Sequence, residues 1–179
     1  MKTRILEIIA TVVAFVAGGL LLACHAQKPA DNIVRLKQKF ESCKMLEVGQ
    51  EYNCIIQVPD FLQQQPTDEL YTQRYIYDDE ASGMRFGVSS YVTDAEGLNA
   101  ETAAKEFTQG TTPLFTEIGA DYYIIEGFIE GSNVYVDLEK TFFVGEYCLS
   151  LHFFYPKAYS WAAQRYIDVV KAWDPFPEE

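Results

Sequence analysis

About 16 consecutive positions, Ile8 to Ala23, carry no charge, and no apolar run elsewhere in the chain is as long. Lys2 and Arg4 precede the run and Cys24 closes it, the layout of a secretory signal peptide over residues 1–23. At about 1.5 Å per residue it makes a helix of about 24 Å, against roughly 30 Å of hydrocarbon, so an uncleaved membrane anchor is the weaker reading. An ordinary signal peptide ends at an Ala-x-Ala-like site, and Ala23-x-x-Ala26 has the wrong spacing.

After Cys24 the pattern changes. His25 to Ala30 is short, small and polar, a tether over residues 24–30 leading into one domain over 31–179. Ile33, Leu36, Phe40 and Cys43 then recur at helical spacing behind Asp31, a candidate cap. Glu51 to Val58 alternates as a strand that stops at Pro59, and Asp60 to Glu69 reads as a loop. Tyr71–Tyr77 and Met84–Val92 form a hairpin around the acidic tip Asp78 to Gly83, with Met84, Phe86 and Val88 on one face.

Asn99 caps a short helix through Gln109 that Gly110 ends. Three more strands follow, Asp121–Ile129, Val134–Val144 and Glu146–Tyr155, joined by turns at Gly131 and Gly145. Val136, Leu138 and Phe142 point one way; Asp137, Glu139 and Thr141 point the other and are expected to form an exposed polar face. Lys157 to Trp173 closes the chain as an amphipathic helix. The order predicts an α+β fold, an antiparallel sheet of about six strands with helices packed on it.

Charge narrows the partners. The whole chain carries a formal −12, and removing residues 1–23, with Lys2, Arg4 and Glu7, leaves about −13. Such a surface repels phosphate, so nucleic acid and anionic lipid headgroups are expected to be poor partners. About 150 residues suffice for one domain with a real core. Besides Cys24 there are three cysteines, Cys43, Cys54 and Cys148, and an odd count cannot pair completely. Cys43 and Cys54 are a candidate disulfide; the alternative is that Cys54 packs as a small hydrophobe in its strand. No C-x-x-C is present to suggest a redox or zinc site.

Two resemblances add to this reading. Leu21-Leu22-Ala23-Cys24 resembles the lipobox of bacterial lipoproteins, with Leu22 an unusual occupant of the middle position. The resemblance implies a diacylglyceryl thioether on Cys24, cleavage just before it and an acylated new amino terminus. Two or three acyl chains anchor stably where one does not. Localisation would be the bacterial cell envelope, facing the periplasm or exterior. His25, where an aspartate would resemble an inner-membrane retention signal, favours the outer membrane if the source is Gram-negative.

The order of elements over residues 50–174, with Pro59, the run Glu101-Thr102-Ala103-Ala104-Lys105-Glu106-Phe107 and Tyr155-Pro156, is similar to the PsbP-like fold, a group that includes DcrB-like bacterial lipoproteins. That resemblance implies an α/β/α sandwich that binds or scaffolds, as a photosystem subunit and a partner of the GTPase Ran do. No motif carries a functional residue across.

Chemistry is sparse. His152 is the one histidine beyond the tether and shares a strand face with Ser150, Cys148 and Glu146. Cys148 and His152 lie about 13 Å apart on one strand, too far to share a metal, and Ser150 with His152 has no evident orienting acid. The acidic stretches Asp78–Glu80 and Asp94–Asn99 lack the EF-hand pattern, and the chain has no P-loop or G-x-G-x-x-G. Tyr122, Phe128, Tyr135 and Phe143 are a candidate partner surface unless the terminal helix covers them. The expectation is a lipid-anchored binding or scaffolding protein with a protein partner and without catalysis, cofactor or metal. The alternatives are a protective protein against a secreted toxin and, further off, an envelope hydrolase using Ser150 and His152.

Overall fold

The central strands alternate apolar and polar side chains, and in the computed structural model, which describes residues 29–48, 54–66, 73–92 and 98–175, the sheet they form is buried on both faces at its centre. Helix α1 (Pro29–Lys39) leads into a two-stranded antiparallel ribbon, β1 (Cys43–Val48) and β2 (Cys54–Pro59). The main sheet comprises β3 (Gln63–Gln65), β4 (Gln73–Asp79), β5 (Met84–Val92), β6 (Thr111–Ile118), β7 (Tyr122–Ile129), β8 (Tyr135–Val144) and β9 (Tyr147–Pro156). Its order is β3-β4-β5-β9-β8-β7-β6, antiparallel throughout. Helix α2 (Ala100–Thr108) lies between β5 and β6, and α3 (Ser160–Ala172) ends the fold after one 3₁₀ turn, Lys157–Tyr159.

The main core lies between one sheet face and the layer made by α1, α3 and the ribbon. Phe86, Leu138, Leu151, Phe153 and Tyr155 from the sheet meet Leu36 and Phe40 of α1 and Ala163, Tyr166 and Ile167 of α3. Tyr166 is the hub, with rings of Phe40, Phe86 and Phe153 around it. Its hydroxyl donates to the Gln57 carbonyl at 2.8 Å, and Trp173 Nε1 donates to the Ile55 carbonyl at 3.2 Å, tying α3 to the ribbon. The opposite sheet face carries α2, whose Ala104 packs on Tyr123 and Ile125. Asn99 caps α2 as expected, accepting from Thr102 N at 3.0 Å.

Several expectations need correction. α1 starts at Pro29, inside the stretch expected as tether, so Asp31 stands within its first turn and not before it; proline fits there because its missing N–H is an orphan anyway. Cys43 leaves the helix and opens β1. Among the described residues the strands number nine, the extra ones being β1, β3 and β6. The register sets Cys43 opposite Pro59 and Cys54 opposite Val48, at opposite ends of the ribbon and five residues, or about 16 Å, apart. The Cys43–Cys54 disulfide is therefore excluded by geometry, and both are free thiols. Burial raises the Cys54 thiol to about 11, as suits a thiol packed as a small hydrophobe. The expected signal peptide, Cys24 and most of the tether lie outside the described residues. Among the described residues no helix is long and apolar enough to cross a membrane.

Candidate functional site

The polar side of β8 is buried, contrary to the expected exposed face. Asp137 and Glu139 are 2% and 4% exposed, and Thr141 and Ser150 are buried beside them. Gly145, at φ +60°, permits the tight turn between β8 and β9. Its register places His152 directly opposite Glu139, and Ser150 opposite Thr141. The acids missing from the strand of His152 thus come from the next one: His152 Nδ1 lies 3.6 Å from Asp137 Oδ2 and 3.6 Å from Glu139 Oε2.

The hydroxyls are committed to the same network. Tyr123 donates to Glu139 Oε1, and Thr141 donates to the same oxygen at 2.8 Å. Since Thr141 has a single proton, Ser150 donates to Thr141 across 2.7 Å. Burial holds the Glu139 carboxyl above its usual range, against the opposing pull of His152 and of the Tyr123 and Thr141 hydroxyls; Asp137 reinforces the rise. Asp137 Oδ1 and Glu139 Oε2 accept no hydrogen bond from the described residues. Ser150 and His152 are brought to one face, with the Ser150 hydroxyl 2.7 Å from that of Thr141 and the carboxylates of Asp137 and Glu139 beside His152 Nδ1. A metal is not suggested: no group of three suitable ligands is gathered among the described residues.

A second charged cluster lies on the α3 side. Glu126 accepts from Lys171 Nζ and from the Tyr155 hydroxyl, each at 2.6 Å. Burial alone would raise the Glu126 carboxyl, but Lys171 and Tyr155 outweigh it and hold it below its ordinary value. Lys140, which interrupts the apolar side of β8, donates to the Lys171 carbonyl at 2.7 Å and crosses the rings of Tyr122 and Phe142. Burial depresses its ammonium.

The four aromatic residues expected to share a surface do not. Tyr122 and Phe128 pack at the margin of the main core on the α3 side. Tyr135 stacks on Phe154 and Phe143 joins the cluster under α2, both on the other face. The correction has a simple cause: even positions of β7 and odd positions of β8 face opposite sides, because Tyr122 pairs with Phe142. The large exposed apolar side chains include Val92, Leu114, Ile118 and Val134 along the main sheet, and four more on the opposite layer. Met45 and Ile55 lie diagonally on the outer side of the ribbon, and Val34 and Trp161 lie on the outer side of the helices.

No family model and no curated protein matches this chain. Among solved structures it is similar to the cyanobacterial PsbP protein (CyanoP) of Synechocystis sp. PCC 6803, with a TM-score of 0.55 at 10% identity over 73% of this chain and 90% of that one. At that identity the likeness speaks for the fold alone: an α+β, PsbP-like arrangement of antiparallel sheet and helices.

Proposed function

We propose that this protein is a lipid-anchored envelope lipoprotein whose folded domain binds or scaffolds a protein partner without catalysis. The observation that carries the reading is that the buried cluster around His152 is built into its own sheet. The Tyr123, Thr141 and Ser150 hydroxyls are engaged with one another and with Glu139 Oε1 under cover, leaving no exposed nucleophile in that cluster. The PsbP-like fold supports a binding role through the resemblance already described, and Leu21-Leu22-Ala23-Cys24 supplies the anchor.

A partner surface on the ribbon fits better than the four aromatics, since Met45 is 63% exposed beside Ile55 and Tyr166 and Trp173 hold the ribbon rigid from behind. The test is affinity capture from the native envelope with the anchored protein, read by mass spectrometry. A specific partner lost in Met45→Asp/Ile55→Asp is expected; capture unaffected by that change would move the surface elsewhere, and repeated capture of nothing would count against binding. The acidic remainder of the domain favours a basic partner. A secreted basic toxin in the eluate would specify the protective role.

A further inference from the structure

We infer that the outer side of the α1–α3 layer is a docking face for an anionic lipid surface, with Trp161 as its apolar anchor. The whole-chain charge conceals a segregation. α1 and the segment from Lys157 to Ala172 contain six cations, Arg35, Lys37, Lys39, Lys157, Arg165 and Lys171, against two acids, Asp31 and Asp168. Those helices carry a net +4, so the rest of the chain after residue 23 carries about −17. With a Debye length of about 8 Å at physiological salt, a membrane beside the helices senses the near patch far more than the distant acids. The net-charge argument against anionic headgroups therefore fails on this face.

Arg35, Lys37, Lys39, Lys157 and Arg165 are exposed, and no salt bridge engages them among the described residues. Lys171 is already paired with Glu126 and is not counted in the face. Trp161 and Val34 are each 57% exposed on the same layer, and Lys37 Nζ sits 4.8 Å from the Trp161 ring, joining the two helices at their surface. An indole flanked by cations is the composition of an interfacial contact. The position suits it: Pro29 opens α1 five residues beyond Cys24, so an anchor there holds the helix within about 18 Å of the headgroups. The inference rests on the anchored reading above.

The test uses the full chain as purified from its membrane, in a Trp173→Phe background that leaves Trp161 as the one tryptophan. It is reconstituted into phosphatidylcholine vesicles with or without brominated phosphatidylglycerol. Trp161 emission is expected to be quenched by the brominated anionic lipid and released by high salt. Arg35→Gln/Lys37→Gln/Lys39→Gln is expected to lower the docking equilibrium about 100-fold with an unchanged circular dichroism spectrum. No quenching in the anionic vesicles, or equal quenching by brominated phosphatidylcholine, overturns the docking face. Shielding of Trp161 that rises with protein concentration and not with lipid overturns it in favour of a second copy. Intact mass of the same sample reports separately on Cys24, and because an uncleaved leader would also tether the chain, loss of the lipid reading leaves the quenching result interpretable.

Discussion

Glu139 and Glu126 are both buried carboxylates, and their neighbours send them in opposite directions. Glu139 is held above its unfolded range by burial, so the folded state binds the extra proton; that contribution is full below the unfolded pKa and is lost as pH rises through the folded one. Denaturant titrations across pH should therefore show the parent losing stability relative to Glu139→Gln as pH rises from 4 into the neutral range, with His152, Asp137 and Tyr123 present in both. A parallel pair of profiles would contradict the assignment. Glu126 is depressed, so its contribution is present above the unfolded pKa and lost as pH falls through the folded one. Lys171→Met, which leaves that partly buried carboxylate with only Tyr155, should cost about 2 kcal/mol near neutral pH and less in acid, measured by urea unfolding.

At this scale the pairing within the buried cluster is legible in the sequence. A two-residue turn at Gly145 sets Val144 against Tyr147, and counting back from it pairs Glu139 with His152 and Thr141 with Ser150. What the residues alone did not reveal was the cover over that face, since alternation reports which side a carboxylate takes and says nothing of what lies above it.

Among the elements, the strong periodic ones were readable: α2 with its Asn99 cap, β5, β7, β8, β9 and α3 all lie where the pattern puts them, within a few residues. The missed strands share a reason. β3 is three glutamines at a sheet edge, with no alternation to detect. β6 is the other edge and contains Pro113, beside an irregularity of register, which an edge tolerates because its outer N–H groups need no partner. β1 becomes a strand only by pairing with β2, and its outer positions are exposed. The closeness of β6 yields an element-level expectation. A Cβ on Gly127 would stand 2.9 Å from the Thr112 carbonyl oxygen, so Gly127→Ala should force β6 away from β7, lowering the melting temperature and raising amide exchange along Thr111–Ile118. At the other end of the fold, Tyr166→Phe removes the bond to Gln57 while keeping the ring stack; a loss of about 1 kcal/mol and faster exchange in the ribbon are expected by hydrogen exchange.

For the molecule as a whole, the fold class followed from element order, while function depended on a stretch outside the described residues. In the proposed function Cys24 is the first residue of a lipid-anchored domain, with α1 beginning close behind it and the basic helices facing the membrane. The most direct measurement is the intact mass of the protein extracted from its native membrane. The account expects a chain that begins at Cys24 and carries a diacylglyceryl group with a further acyl chain on its amino terminus; a chain that begins at Met1, or an unmodified Cys24, would contradict it.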